Sequence, residues 1–91
     1  MEYRASHILV KDRGLAEELL KRIRAGGSFA DLAKEHSICP SKERGGDLGW
    51  FGEGKMVKPF EDAVKRLSSG GTSGIVSTQF GAHIIRKTGE R

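Results

Sequence analysis

The N-terminal residues alternate in the manner of a β-strand, and three later segments are also predicted as strands. One face of the first strand carries Tyr3, Ala5, His7 and Leu9, and the other carries Arg4, Ser6, Ile8 and Val10. This period of two predicts a strand over residues 3–10. A short glycine-rich strand is predicted at residues 47–51. Two closing strands are predicted at residues 74–77 and 82–87, on either side of a turn at residues 78–81.

Apolar residues recur at helical spacing in the segments between these strands. After a turn predicted at residues 12–14, a helix is expected to run as far as the glycines at 26–27, where helices commonly end. Its apolar positions are Leu15, Leu19 and Ile23. A second helix is predicted over residues 29–36, because Ser28 is a suitable N-cap and Asp31 follows three residues later, in a variant of the capping box.

A third helix is predicted to start at Lys58-Pro59, since proline is favoured near the first helical position. Its apolar stripe consists of Phe60, Ala63, Val64 and Leu67. Residues 37–44 are expected to be irregular, and residues 68–74 are expected to form a connector. The order of elements predicts an α+β fold with a small sheet and helices packed outside it. The length of 91 residues corresponds to a single domain, 1–91.

Composition and charge narrow the class of protein. The chain is 36% hydrophobic and 31% charged, and no apolar run approaches the roughly 20 residues of a membrane span. The opening residues have no signal-peptide pattern, and the single cysteine, Cys39, cannot form an internal disulfide, so a cytoplasmic location is expected. The net charge of +4 comes from scattered basic residues. These residues are interpreted as a solvated surface rather than as a polyanion-binding patch. Weak attraction to polyanions or to a membrane surface is kept as an alternative.

Few residues offer catalytic or metal-binding chemistry. His36 and Cys39 form one pair at metal-ligand spacing, but a structural zinc site usually shows two such pairs, so no metal is expected. Covalent catalysis by Cys39 is not favoured either, because Pro40 removes a backbone donor just after the thiol. His7 and His83 each interrupt an apolar strand. If the first and last strands are neighbours, both imidazoles can join one buried hydrogen-bond network with a cysteine and a threonine.

A group of large apolar residues lies at predicted element ends, beside glycines or turns. Its members are Leu48, Met56, Phe60 and Phe80. Ordinary core packing is one explanation for these positions. The other is that they line a shallow pocket for a compact apolar ring.

Five segments in order resemble a known family. They are HILVK, SICPS, RGGDLG, MVKPF and FGAHII, at residues 7–11, 37–41, 44–49, 56–60 and 80–85. Together they resemble the single-domain parvulins, which are peptidyl-prolyl cis/trans isomerases, over residues 3–87. The resemblance implies a four-stranded antiparallel sheet surrounded by four helices in the order β-α-α-α-β-α-β-β. The third of these helices would fall near residues 41–44.

The resemblance also implies a site and an activity. The implied catalytic residues are His7, Cys39, Thr78 and His83. The implied proline pocket consists of Leu48, Met56, Phe60 and Phe80. Rotation about an X-Pro bond would then proceed without a covalent intermediate, a cofactor or a metal, in proline-containing peptides and in unfolded or flexible protein segments whose folding it assists.

Phosphate-directed relatives have a long basic loop after the first strand. Here that connection is only residues 11–14 and includes Asp12, so phosphate specificity is not expected. The domain is expected to act as a monomer with no obligatory nucleic acid. Two alternatives remain: a domain of the same fold that binds clients without turnover, and a basic nucleic-acid or surface-binding module.

Overall fold

A four-stranded antiparallel sheet forms the centre of the molecule. The computed structural model describes all residues, 1–91. The strands are β1 (Glu2–Val10), β2 (Asp47–Gly52), β3 (Thr72–Thr78) and β4 (Gly81–Glu90). Their spatial order is β2-β1-β4-β3, so the first and last strands are the two central neighbours, as the histidine hypothesis requires.

Four helical segments connect the strands. They are α1 (Arg13–Arg24), α2 (Phe29–His36), a 3₁₀ helix (Pro40–Arg44) and α3 (Lys58–Arg66). The expected four helices are therefore three α-helices and one short 3₁₀ helix. The predicted cap of α2 is confirmed, because the Ser28 hydroxyl oxygen accepts a hydrogen bond from the Asp31 N–H at 3.2 Å.

Strand β4 continues to Glu90, three residues beyond its predicted end. Two other sequence-based boundaries are wrong for a common reason. The turn predicted at residues 12–14 is the start of α1, where the Asp12 carboxylate accepts a hydrogen bond from the Gly14 N–H at 2.9 Å. The connector predicted at residues 68–74 ends sooner, because β3 begins at Thr72. In both places a partner compensates for weak local propensity: an N-cap in the first, and pairing of Thr72 with Arg86 of β4 in the second.

The helices cover the two faces of the sheet unequally. Helices α1 and α2 pack on one face, where Ile8 and Ile84 are fully buried. Helix α3 packs on the opposite face over a smaller cluster of Tyr3, Ala5, Phe51, Phe60, Val64 and Ile85. His7 and His83 point to the α3 face because they alternate with Ile8 and Ile84 along their strands. No helix is both long enough and apolar enough to cross a membrane.

Two glycines bring the loop before β2 against β1. Gly46 has φ 92° and its carbonyl accepts a hydrogen bond from the His7 N–H at 2.9 Å. A Cβ at Gly46 would lie 2.4 Å from the His7 carbonyl oxygen, and Gly45, at φ 68°, ends the 3₁₀ helix. Only glycine adopts this backbone path at so close an approach. The pair therefore fixes the loop next to the strand that carries His7.

Candidate active site

A pocket of about 360 Å³ opens on the α3 face of the sheet. Seven of the eight predicted site residues line it, and they are His7, Cys39, Leu48, Met56, Phe60, Phe80 and His83. The eighth, Thr78, lies behind His83 and contacts it directly. The structure thus brings together side chains that are as much as 76 positions apart in the sequence.

The two histidines form a contact pair at the base of this pocket. Nδ1 of His7 lies 3.0 Å from Nδ1 of His83, and the two rings are stacked with centroids 5.2 Å apart. The register explains the contact: Leu9 pairs with His83 and His7 with Ile85, so the imidazoles are diagonal neighbours on one face. The edge of Phe60 packs against both, with each centroid distance at 5.5 Å.

Thr78 extends the pair into a chain of hydrogen bonds. Its Oγ1 lies 2.7 Å from Nε2 of His83 and accepts a hydrogen bond from the Phe80 N–H at 3.1 Å. A hydroxyl both donates and accepts, and a neutral imidazole has one donor and one acceptor nitrogen. Two proton arrangements therefore satisfy the chain.

The two arrangements differ at the nitrogen that faces no partner. If Thr78 donates to His83, then Nδ1–H of His83 donates to His7, and Nε2 of His7 carries a proton. If His83 donates to Thr78, then Nδ1–H of His7 donates to His83, and Nε2 of His7 is an acceptor. This Nε2 is buried and has no hydrogen-bond partner within the protein. It is therefore the end of the chain, and the proton arrangement decides whether it carries a proton.

Burial keeps both rings uncharged at neutral pH. It lowers the pKa of His7 from 6.5 to about 4, with a smaller contribution from the charge that His83 would carry. Burial also lowers the pKa of His83. Only 5% of His7 and 3% of His83 is exposed, so water cannot solvate an imidazolium at either position. The base of the pocket is a neutral polar pair.

Cys39 lines the pocket but is not linked to the histidines. Its thiol is half-buried and forms no hydrogen bond to either imidazole. The expectation that the cysteine joins the histidine network is therefore wrong. The reason is the backbone: the Ser37 hydroxyl accepts hydrogen bonds from the N–H groups of Cys39 (3.4 Å) and Leu9 (3.0 Å), which hold the loop to β1.

The apolar walls differ in how deeply they are buried. Phe60 is 3% exposed and belongs to the core under α3, and it also lines the pocket. Both explanations given from the sequence, core packing and pocket lining, therefore apply to it. Leu48 and Met56 are half-buried and pack against that core. Phe80 is 48% exposed at the rim. An apolar ring that enters the pocket would contact a fixed wall at Phe60 and more adaptable walls elsewhere.

Sequence reasoning missed several residues of the site. Leu9, Lys55 and Val57 also line the pocket, and Ser37 holds the Cys39 loop. Leu9 was predicted to share a strand face with His7, so the alternation already indicated that it lies beside the histidine. Nothing distinguished Lys55 among 16 basic residues, because its position depends on how the chain turns after β2. The structure contains no group of three or more His, Cys, Asp or Glu side chains placed to hold a metal ion.

A four-stranded sheet that carries paired neutral histidines beneath an apolar pocket defines the parvulin class of peptidyl-prolyl cis/trans isomerase. The chain belongs to this family, since the model of the PPIC-type PPIASE domain matches residues 2–91. Similar solved structures include the parvulin NmPin of Nitrosopumilus maritimus, which is 42% identical with a TM-score of 0.85. That match covers 97% of this chain and 96% of NmPin.

Other relatives are longer proteins. The foldase protein PrsA of Bacillus subtilis is 53% identical over 89 residues, which are 97% of this chain and 30% of PrsA. The crystal structure of the peptidylprolyl isomerase PrsA from Bacillus anthracis is 46% identical with a TM-score of 0.97, and the match covers 99% of this chain and 42% of that one. The chain thus corresponds to one part of these relatives, about 30% of the length of PrsA from Bacillus subtilis.

Proposed function

We propose that this chain accelerates cis/trans isomerisation of X-Pro bonds in flexible protein segments and thereby assists folding. The proline ring occupies the apolar pocket, and no covalent bond to the protein forms. The observation that carries this proposal is the pocket itself, about 360 Å³ in volume, with apolar walls above a neutral histidine pair. Pockets for small ligands start at about 300 Å³, so the volume is sufficient for a proline ring.

The physics of the reaction suits such a site. Rotation breaks no σ bond, and its barrier of about 18–20 kcal/mol comes from lost amide resonance. The twisted amide has a less polar carbonyl than the planar amide, so removal of water from around it penalises the twisted form less. A pocket that holds the ring and excludes water therefore binds the transition state more tightly than either planar isomer. Lowering the barrier by about 5 kcal/mol gives a rate increase of between 10³- and 10⁴-fold.

The histidines serve as fixed polar groups in this mechanism rather than as bases. Their Nδ1 atoms contact each other, and Thr78 occupies Nε2 of His83. Neither ring is in hydrogen-bond contact with the Cys39 thiol, so no base is in place to generate a thiolate nucleophile. The remaining nitrogen, Nε2 of His7, is buried and has no hydrogen-bond partner within the protein, so this mechanism assigns it no proton transfer.

The proposed substrates are not phosphate-directed. Between β1 and α1, Asp12 caps the helix, and the Lys11 ammonium donates to the Phe80 carbonyl at 3.0 Å. No cluster of basic side chains is therefore free at that end of the pocket to bind a dianion. We expect peptides with an unphosphorylated residue before proline, especially an apolar one, to be turned over without any need for phosphate. A tenfold or larger advantage for phosphoserine-proline peptides would contradict this part of the proposal.

We also propose that the domain is cytoplasmic and monomeric, as expected from the sequence. Cys39 is a free, half-buried thiol beside the pocket, which suits a reducing compartment. Sedimentation analysis of the purified domain would test the monomer. Retention on a polyanion column at physiological salt would test the weak attraction of the basic surface, which is not required for isomerisation.

Exchange NMR on a short X-Pro peptide with catalytic amounts of the domain tests the activity. Uncatalysed exchange takes tens to hundreds of seconds, so acceleration is readily measured. The matched variants are Met56→Ala, which removes a pocket wall, and Met56→Leu, which keeps an apolar wall of similar volume. We expect exchange to accelerate with the parent and Met56→Leu and to be much slower with Met56→Ala. Binding of the peptide without acceleration would identify a client-binding domain instead, and dependence on the basic surface rather than the pocket would identify a polyanion-binding module.

A further inference from the structure

The loop between β2 and α3 supplies a large part of the pocket wall. It consists of residues 53–57, and three of these line the pocket: Lys55, Met56 and Val57. Its own backbone holds it weakly, because the only N–H within it that bonds to another backbone group is that of Lys55, whose nitrogen lies 3.4 Å from the Gly52 carbonyl oxygen. The N-cap of α3 is Val57, whose side chain forms no capping hydrogen bond. The position of this wall therefore depends on contacts from outside the loop.

One side chain of α3 supplies such a contact. Glu61 lies in the first turn of the helix, directly after the pocket residue Phe60, and its carboxylate accepts a hydrogen bond from the Gly54 N–H at 2.7 Å. Gly54 has φ 82°, a conformation that favours glycine, so the loop can turn there towards the helix. Only 13% of the Glu61 side chain is exposed. A largely buried carboxylate thus joins the loop to the helix that carries Phe60.

Lys65 holds the same carboxylate one turn further along the helix. Its ammonium lies 3.3 Å from Glu61 and 3.3 Å from Glu53, the first residue of the loop. The hydrogen bond from Gly54 is the main reason that the pKa of Glu61 lies below its usual range, and Lys65 lowers it further. Glu61 is therefore ionised at neutral pH. Its bond to Gly54 is charge-assisted, which makes it roughly twice as strong as a hydrogen bond between neutral groups.

We propose that Glu61 is a positioning residue of the pocket, whose carboxylate fixes the loop at residues 53–57 through Gly54 and so holds Met56 in place to receive the proline ring. This inference rests on the proposed isomerase function and concerns how the same pocket binds its substrate. Without the bond, the loop populates other conformations, and substrate binds only to the fraction of molecules in which the wall is formed. The bound complex restores the wall, so the rotation step keeps its rate.

The variant Glu61→Ala removes the acceptor and tests the proposal through the split between binding and turnover. The substrate is the peptide Ala-Leu-Pro-Ala with blocked ends. If the competent fraction falls to between about one third and one tenth, the Kd from NMR titration and the KM from exchange NMR rise about threefold to tenfold. A change that weakens ground-state and transition-state binding equally leaves kcat unaltered, so kcat should stay within about twofold of the parent.

Two conservative variants separate the hydrogen bond from the charge. Glu61→Gln keeps the length of the side chain and an oxygen that can accept from the Gly54 N–H, whereas Glu61→Asp keeps the charge but is one methylene shorter. We expect Glu61→Gln to bind the peptide more tightly than Glu61→Asp. The opposite order would show that the charge acts rather than the contact, and it would overturn the proposal.

The matched control is Asp62→Ala on the same helix. Asp62 is the next acidic residue, and its ion pair at 3.7 Å is with Lys58 of α3 rather than with the loop. Asp62→Ala therefore makes the same change in net charge as Glu61→Ala, and it should leave Kd, KM and kcat as in the parent. A rise in Kd as large as that of Glu61→Ala would show a general effect of charge on α3 and would refute the positioning role.

The loop also has a direct readout, because Met56 is one of only two methionines in the chain. With isotopically labelled methionine methyl groups, the Met56 signal should broaden or move towards that of the exposed Met1 in Glu61→Ala and stay in place in Asp62→Ala. Amide hydrogen exchange at Gly54 should become faster in Glu61→Ala. A lower melting temperature with an unchanged Met56 signal and an unchanged Kd would identify a purely structural role and overturn the proposal.

The design distinguishes failure of this proposal from failure of the isomerase function. If the parent bound the peptide without accelerating exchange, the activity would fail, while the ratio of the dissociation constants would still decide the role of Glu61. A fall in kcat of about tenfold in Glu61→Ala at an unchanged Kd would instead place Glu61 in the rotation step, against the positioning role.

Discussion

Acidification should destabilise the domain through its buried histidine pair. The pKa of His7 is lowered from 6.5 to about 4 by burial, so the unfolded chain binds more protons than the native state between those two values. Stability therefore falls as the pH falls through this window, and the loss is complete below it. This difference in the pKa of His7 between the unfolded and native states lowers the free energy of unfolding by about 2.5 kcal/mol between about pH 7.5 and pH 4.5.

The variant His7→Gln isolates this contribution, because glutamine does not titrate. Urea unfolding of both proteins can be followed by the fluorescence of the single tryptophan, Trp50, which lies on β2. His7→Gln will be less stable than the parent at neutral pH, since His83 loses its partner at Nδ1. The informative quantity is how this stability difference changes with pH.

We expect the difference in unfolding free energy between the parent and His7→Gln to change by about 2.5 kcal/mol, to the disadvantage of the parent, between about pH 7.5 and pH 4.5. Carboxylate titrations, such as that of Asp47 beside Arg4, occur in both proteins and cancel in the difference. A difference that stays constant within about 0.5 kcal/mol would show that His7 titrates normally in the native state. The argument that burial keeps the pair neutral would then be wrong.

Three further predictions separate the pocket walls from the polar groups. Met56→Ala should keep the fold and weaken peptide binding measured by NMR titration, whereas Phe60→Ala should also lose about 3–5 kcal/mol of stability, because Phe60 is 3% exposed; equal melting temperatures would contradict this. Cys39→Asp should keep appreciable activity in the exchange assay, because no nucleophile is needed, and a covalent adduct trapped on Cys39 by substrate would refute that. Thr78→Val leaves Nε2 of His83 and the Phe80 N–H without their partner, so it should cost about 1–3 kcal/mol in urea unfolding; an unchanged midpoint would show that water replaces the hydroxyl.

The elements with strong local signals were predictable from the sequence. The alternation over residues 3–10 matches β1, and the periodicity and cap at residues 28–36 match α2. These signals are local because a period of two or 3.6 residues determines which side chains share a face. The family resemblance added the 3₁₀ helix, whose residues carry no periodic pattern of their own.

The sheet order and the contacts within the site depended on tertiary structure. Alternation placed His7 and His83 on strand faces, but only the pairing of β1 with β4 brings their Nδ1 atoms to 3.0 Å. Cys39 is kept apart from this pair because its loop is bonded to β1. The Ser37 hydroxyl accepts a hydrogen bond from the Leu9 N–H, and these two residues are 28 positions apart in the sequence. Hydrogen bonds between distant segments leave no periodic trace in a sequence.

The charged residues show most clearly which properties come from the sequence and which come from the fold. The sequence determined that the domain is basic, with a net charge of +4 dispersed along the chain. Only the fold decided that Glu53 and Glu61 pair with Lys65, while Lys55 stands unpaired beside an apolar pocket. The physical reason is that ionic contacts depend on distances of a few ångströms, and chain packing sets those distances independently of the order of residues.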